Sequence, residues 1–176
     1  MSTRFQDDGR TIWDFMGDIL VECPGCGACA HVLPKDPRHA SYNGPRRVTC
    51  LRCGYARDAS DPRAAKAKAR PSWQQARRMD GHPRQGSTSF YPPRPTDTFL
   101  DLPLYLQTPC AGHTFWALNP AHLAWLESFL AADLREDVSP VRRKTAVSAL
   151  PQWLILARRR DEALRAAARL RARLLE

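Results

Sequence analysis

Short apolar runs alternate with turn-forming residues in the first third of the chain, which is the pattern of short β-strands. Ile19–Val21 leads into the first of two Cys-x-x-Cys-Gly motifs, and Ala30–Leu33 follows that motif. Asn43-Gly44 is a strong hairpin signal, and Arg47–Leu51 is the expected return strand. The pattern therefore predicts a small antiparallel sheet built around the two cysteine motifs.

A second apolar region follows a basic segment that is rich in proline and glycine. Two short strands, Leu102–Gln107 and Thr114–Leu118, are predicted there, joined by a turn with the sequence TPCAGH. Asn119 followed by Pro120 is typical of the start of a helix. The helix that follows has one apolar stripe at helical spacing, formed by Leu123, Leu126, Phe129, Leu130 and Leu134.

Two further helix starts are predicted near the end of the chain. Ser139-Pro140 indicates a short helix, and Leu150-Pro151 opens a last helix that we expect to continue to about Leu174. The apolar positions of this last helix keep a seven-residue rhythm, at Leu156, Ala163, Ala167, Leu170 and Leu174. Two main helices separated by a short segment predict an antiparallel helical hairpin packed on the strand pair.

The two cysteine motifs have the design of metal-binding turns. In each, the glycine after the second cysteine allows the positive φ that a tight turn needs. Two such turns provide four thiolates, the ligand set of a closed tetrahedral zinc site. We predict one Zn²⁺ per chain, which would stabilise a segment too short to bury much apolar surface. The expected ligands are Cys23, Cys26, Cys50 and Cys53.

Other residues offer alternative ligands for a metal. Cys29 extends the first motif to Cys-x-x-Cys-x-x-Cys, a spacing that suits an iron–sulfur cluster. That assignment leaves the second cysteine pair without a matching set of partners, so we favour zinc and interpret Cys29 as a packed thiol. His31 and His39 could also bind the metal, although histidines in such strands and loops more often have ordinary polar contacts.

These elements predict an α+β protein in three parts. Residues 1–57 are expected to form a zinc ribbon of short antiparallel strands. Residues 58–98 are expected to be a basic linker rich in proline and glycine. Residues 99–176 are expected to form a small β-hairpin followed by a C-terminal α-helical hairpin.

Cys110 and His113 form a second candidate site in the turn between the two predicted strands. Such a pair can be half of a second metal site, or a nucleophile with its base. The structural alternative, which we favour, is a buried thiol and a histidine bonded to a turn carbonyl, because no acidic third member lies nearby in sequence. Most of the aromatic residues that follow are expected in the core: Phe115, Trp116, Trp125 and Trp153.

The composition of the chain bears on its partner and on its location in the cell. The formal net charge is +9 and the pI is about 9.7, which favours an anionic partner. The charge alternates along the chain, since residues 35–94 and 138–176 are basic whereas residues 1–34 and 95–137 are acidic. Neither a secretory signal nor a transmembrane run is visible, and six cysteines in such a chain indicate thiols or metal ligands. We therefore expect a cytoplasmic protein.

Two groups of arginines are candidates for nucleic-acid binding. They are either solvated side chains paired with neighbouring carboxylates or contacts to phosphates. The first group flanks the second cysteine motif and the other lies in the last helix: Arg46, Arg47, Arg52 and Arg57, then Arg158, Arg165, Arg169 and Arg173.

Most of the chain outside the linker resembles a known group of proteins. The matching pieces are GDILVECPGCG, TCLRCGY, Trp73, LPLYLQTPCAGHTFWALNPAHLAWLESFLAADLRE and LPQWLILARRRDEALRAAARLR. They resemble small bacterial proteins described as containing a transcription-factor-IIB-type zinc ribbon, sometimes labelled as relatives of the primosomal replication-restart helicase. The resemblance implies a metal on the four motif cysteines and makes the Cys110–His113 turn part of the common design. A helicase phosphate loop is absent from the sequence, so helicase activity does not carry over.

Three functions follow from these features. The first is a non-enzymatic zinc-ribbon protein that binds nucleic acid through phosphate contacts in transcription, replication or repair. The second is an adaptor in a larger protein complex, with the ribbon and the helical hairpin as docking surfaces. The third is an enzyme that uses Cys110 and His113.

Overall fold

The protein is a mixed α+β structure with an antiparallel sheet and a C-terminal helix, and the expected fold class is confirmed at that level. The computed structural model describes residues 4–36, 44–59, 95–136 and 145–175. Several predictions fall outside these residues: the ligand alternative His39, the hairpin residue Asn43, most of the linker and the short helix at Ser139-Pro140.

The largest sheet has four antiparallel strands in chain order. Val21 lies opposite Ala30, and Val32 lies opposite Val48. All four of these side chains are fully buried, because alternate positions along a strand point to the same face of the sheet. The strands are β2 (Ile19–Glu22), β3 (Cys29–Pro34), β4 (Arg46–Thr49) and β5 (Ala56–Ala59); the N-terminal strand β1 is described below.

Strand β2 also bonds to the C-terminal half of the chain. The Leu20 N–H donates to the Leu118 carbonyl at 2.8 Å, and the Tyr105 N–H donates to the Leu20 carbonyl at 2.9 Å. The Glu22 N–H donates to the Pro103 carbonyl at 2.8 Å. These bonds bring the expected ribbon and the expected C-terminal unit into direct contact along one strand.

Strands β6 (Leu106–Cys110) and β7 (His113–Ala117) form a separate hairpin. Its loop has only two residues, Ala111 and Gly112, with φ of 53° and 79°, the pattern of a type I′ turn. The first strand starts later than the sequence suggests, because the preceding backbone bonds elsewhere. The Leu102 N–H, for example, donates to a buried Asp97 carboxylate at 2.7 Å.

Helix α1 (Pro120–Ala131) starts at the predicted cap but ends before Leu134. The prediction that Leu134 continues the helical stripe was wrong. This residue belongs to β8 (Leu134–Glu136), which pairs in parallel with the N-terminal strand β1 (Arg4–Gln6). A pairing between residues so far apart leaves no trace in the local spacing of apolar positions.

The last helical region is interrupted where one continuous helix was predicted. Helix α2 (Gln152–Ile155) is followed by an extended residue, Leu156, with ψ of 125°. A 3-10 turn at Ala157–Arg159 then leads into helix α3 (Arg160–Arg173). Helix α3 packs on α1 and on the β6–β7 hairpin, whereas α2 meets the hairpin through the stack of Trp153 on His113.

Helices α1 and α3 run antiparallel to each other. Arg171, near the end of α3, forms an ion pair with Glu127 of α1, and Arg160, at the start of α3, lies 3.3 Å from Asp133. Small side chains on α3 allow a close approach, and the buried ones are Ala163, Ala166 and Ala167. Among the described helices, none combines the length and apolar character needed to cross a membrane.

Candidate metal centre

Two backbone turns of the same design present the four predicted cysteines. The Gly27 N–H donates to the Cys23 carbonyl at 2.8 Å, and the Gly54 N–H donates to the Cys50 carbonyl at 3.0 Å. The two glycines have φ of 71° and 73°, a conformation that residues with a Cβ rarely adopt. The glycine after each cysteine pair is therefore required by the geometry of the turn.

The two turns bring their cysteines into one cluster. The four sulfur atoms all lie within 4.8 Å of one another. Cys23 Sγ is 3.5 Å from Cys53 Sγ, and Cys26 Sγ is 3.7 Å from Cys50 Sγ. A tetrahedral ion with metal–sulfur bonds of about 2.3 Å separates its sulfur ligands by about 3.8 Å. These residues thus lie close enough to hold a metal ion at their centre.

Backbone N–H groups favour the thiolate forms that a metal requires. The N–H of Cys53 lowers the pKa of the Cys50 thiol to about 7, with help from the Arg52 N–H and against the opposing effect of burial. The Gly25 N–H donates to Cys23 Sγ at 3.3 Å.

The Tyr55 N–H likewise lowers the pKa of Cys53, but bonds to the Cys26 and Cys23 thiols and burial outweigh it and raise that pKa to about 12. Because thiolates rather than thiols bind metal ions, the Cys50 thiol is the one favoured as a ligand before a metal is present, and a bound cation would be needed to deprotonate Cys53.

Two of the alternative ligands, Cys29 and His31, lie outside the cluster. Cys29 is half-buried on β3, where burial raises the pKa of its thiol to about 11. Its carbonyl, rather than its sulfur, contacts Cys50 Sγ. His31 Nδ1 lies 3.0 Å from the Asp18 carboxylate, within hydrogen-bond distance. The cluster thus combines both cysteine pairs and leaves Cys29 out, an arrangement that differs from an iron–sulfur ligand set centred on the first motif.

The second candidate pair, Cys110 and His113, lies at opposing positions where β6 and β7 meet the turn. Cys110 is buried, and burial raises the pKa of its thiol, with a contribution from Glu162. His113 is exposed, and its ring stacks on Trp153 with centroids 4.6 Å apart. In the described part of the chain, only the four-cysteine cluster groups three or more potential metal ligands.

Four of the eight candidate arginines have partners within the fold. Arg46 is fully buried, so its assignment to a phosphate-binding surface was wrong. Arg47 lies 3.7 Å from Asp58, and the guanidinium of Arg169 donates to the Pro109 carbonyl at 2.7 Å. Arg173 lies 3.1 Å from Glu22; its guanidinium carbon is also 4.3 Å from the centroid of the Tyr105 ring.

The other four arginines are exposed, and each lacks an ion-pair partner among the described residues: Arg52, Arg57, Arg158 and Arg165. Leu51, beside Arg52 at the tip of the second cysteine turn, is 91% exposed. Leu51 was expected at the end of the return strand, and its exposure was not predicted. An apolar residue between two ligand cysteines is the signal that could have identified it, because a tight turn points such side chains outward.

Comparison of the chain with family models, curated proteins and solved structures found no match. Its function is therefore inferred from the geometry of the cysteine cluster and from the arginines around it.

Proposed function

We propose that this protein is a zinc-ribbon protein that binds nucleic acid mainly through phosphate contacts, in transcription, replication or repair. One observation carries the proposal: Arg52 and Arg57 are exposed and unpaired among the described residues, on the β4–β5 unit that supplies two of the four cysteines. Guanidinium groups that have no carboxylate partner are available to phosphate oxygens.

The proposal assigns Zn²⁺ to the cysteine cluster. Four thiolates at tetrahedral separations are the ligand set typical of structural zinc. An ion at this position would join the turn after β2 to the turn after β4, and would fix the strand that carries Arg57. Metal binding in such small domains supplies folding free energy directly, so the ion would support the basic surface rather than contact nucleic acid.

Contacts to phosphates would provide most of the affinity for nucleic acid, and other positive charges of the chain would add to them. Arg158 and Arg165 add exposed guanidinium groups on the C-terminal helical region, and the chain as a whole has a net charge of +9. Such contacts fix the position of a protein on nucleic acid without reading its sequence. We therefore infer that binding depends strongly on salt and weakly on base sequence.

A second candidate function is that of an adaptor in a larger protein complex, and Leu51 favours it. An apolar side chain that is 91% exposed at the tip of the second cysteine turn could anchor a protein partner, because binding interfaces can be built around an aliphatic anchor that fills a pocket of the partner. The two functions differ in their ligand. Loss of partner capture in a Leu51→Ser variant that still binds nucleic acid would assign the tip to protein contacts.

Salt-dependent binding tests the proposed function. Each duplex phosphate neutralised contributes a slope of about −0.9 to log affinity against log salt. The double variant Arg52→Ala with Arg57→Ala should flatten the slope by about two and weaken unrelated duplexes alike. The matched control is Arg10→Ala with Arg171→Ala. It removes the same net charge, but from two arginines that already have carboxylate partners within the fold.

The control variant should bind like the parent protein. Equal losses in both double variants would mean that net charge, rather than the two arginines of the β4–β5 unit, determines binding. If the parent binds neither duplex nor single strands at low salt, the proposed function is wrong.

A further inference from the structure

His113 is the exposed half of an aromatic stack at the tip of the β6–β7 hairpin. Its imidazole and the Trp153 indole have centroids 4.6 Å apart and planes 10° from parallel. Trp153 is half-buried whereas His113 is exposed. One face of the imidazole is thus covered by Trp153, and the His113 side chain as a whole is exposed to solvent.

Helix α3 lies against the same hairpin tip through charged side chains. Glu162 Oε1 accepts a hydrogen bond from the Ala111 N–H at 2.6 Å, and Arg159 Nη1 lies 3.3 Å from Glu162 Oε2. The guanidinium of Arg169, also on α3, donates to the carbonyl of Pro109 on β6 at 2.7 Å. Two guanidinium groups and one carboxylate are therefore held at this end of the hairpin.

Arg165 adds a third guanidinium to this surface. It follows Glu162 by three positions and precedes Arg169 by four, so all three side chains lie on one side of α3. It is exposed and has no ion-pair partner among the described residues. Burial and Glu162 raise the pKa of Cys110, and the positive charges of Arg169, Arg159 and Arg165 oppose that rise.

We propose that this hairpin tip binds single-stranded nucleic acid, with an unpaired base stacked on the face of His113 opposite Trp153 and its phosphates contacted by Arg165 and the neighbouring arginines. Single strands are bound in this way by aromatic platforms beside positive charge. A paired base within a duplex has no free face for the imidazole. An acidic peptide would satisfy the arginines but would leave the aromatic stack unused, so the observations favour nucleic acid.

This inference rests on the proposed function, and it adds that single strands are the preferred ligand. Its test compares two ligands of equal length on the full-length protein: a labelled oligothymidylate and an abasic deoxyribose-phosphate oligomer. His113→Leu keeps the Trp153 ring covered but removes the aromatic face, whereas His113→Phe keeps an aromatic face. Fluorescence anisotropy gives the dissociation constants, and thermal unfolding of each variant reports whether the fold is intact.

We expect the leucine variant to bind oligothymidylate about fivefold to 100-fold more weakly, the range expected for the loss of one base stack. Its affinity for the abasic oligomer should stay at the parent value, and the phenylalanine variant should bind oligothymidylate like the parent.

Three results would overturn the inference. Equal weakening of both oligomers by His113→Leu would leave only phosphate contacts at the tip. If the parent protein binds duplex but neither oligomer, single strands are not its ligand. The proposed function would stand after either of these two results. Tighter binding of a polyglutamate peptide than of oligothymidylate would instead identify an acidic protein segment as the occupant.

Discussion

Arg46 and Phe99 form a buried stack, with the guanidinium carbon 4.3 Å from the ring centroid. Arg46 opens β4 and is fully buried, and its Nε and Nη2 atoms have no hydrogen-bond partner among the described residues. Burial lowers the pKa of this arginine, and the carboxylates of Asp97 and Asp18 oppose that shift. The residue therefore joins the four-stranded sheet to the loop before β6 by packing, and its charge is poorly compensated.

The stack predicts an unusual ranking of substitutions at position 46. Arg46→Met keeps the packing on Phe99 and removes the buried charge, so its free energy of unfolding should stay within about 1 kcal/mol of the parent value or exceed it. Arg46→Ala removes the packing as well and should cost about 2 to 4 kcal/mol. Urea unfolding followed by circular dichroism measures both, with the exposed Arg47→Ala as a control expected within about 0.5 kcal/mol. A methionine variant as unstable as the alanine variant would show that the fold requires the charge.

The cysteine cluster predicts that neighbouring cysteines differ in their effect on metal content. Cys26→Ser removes a cluster sulfur and should abolish stoichiometric metal binding, whereas Cys29→Ser should keep one ion per chain. Elemental analysis of anaerobically purified protein measures both, and it should find zinc rather than iron and sulfide. Chelation should destabilise β2–β5 in the parent, because the metal bonds join the two cysteine turns of that sheet and contribute directly to its folding free energy.

Loss of the metal in both serine variants would make Cys29 a ligand and would contradict the cluster geometry. Iron and sulfide in the parent protein would replace the zinc assignment with a cluster of another type.

The features that could be predicted from the sequence are those determined by short spacings. The two cysteine turns follow from two residues between ligands and one glycine, and the start of α1 follows from Asn119-Pro120. Pairings between distant segments could not be predicted in this way. Leu134 leaves the helical pattern because it pairs with Arg4, and such a pairing depends on the whole fold.

The outcome for the arginines has the same physical cause. Arg46 and Arg47 are adjacent in sequence, and both were assigned to a phosphate-binding surface. In the structure, one is fully buried on Phe99 and the other is exposed beside Asp58. Alternation along a strand puts neighbours on opposite faces, but the residues that cover each face belong to distant parts of the chain.

Asn119 caps α1 and also bonds to the N-terminal segment, so its loss should be costly. Its Oδ1 accepts a bond from the His122 N–H at 2.8 Å, and its Nδ2 donates to the carbonyls of Phe15 and Asp18 at 2.6 and 2.7 Å. Asn119→Ala should destabilise the fold by about 2 to 4 kcal/mol, because a cap is lost and two carbonyls lose their donor.

Asn119→Ser separates these two roles, since serine can cap the helix but cannot reach both carbonyls. Its unfolding free energy, measured by chemical denaturation, should fall between those of the parent and the alanine variant. A serine variant as stable as the parent would show that the bonds to Phe15 and Asp18 contribute nothing measurable.

His122 predicts part of the dependence of stability on pH. It is fully buried, its Nδ1 accepts a bond from the Leu118 N–H at 3.2 Å, and its ring stacks on Phe15. Burial lowers the pKa of this histidine from 6.5 to about 3. Between pH 6.5 and about 3, His122 therefore binds a proton in the unfolded chain but not in the folded protein. The free energy of unfolding should decrease as pH falls through this range, by up to about 1.4 kcal/mol per pH unit.

The His122→Gln variant isolates this effect, because glutamine can accept the Leu118 bond but does not titrate. Protonation of the cysteine ligands destabilises both proteins at low pH, so it cancels when the two are compared. Unfolding free energies measured by denaturant titration at several pH values between about 7.5 and 5 should give a parent-minus-variant difference that is constant near pH 7.5 and shrinks toward pH 5. A difference that stays constant over the whole range would mean that His122 accepts its proton in the folded state, through an opening of the α1 end of the core.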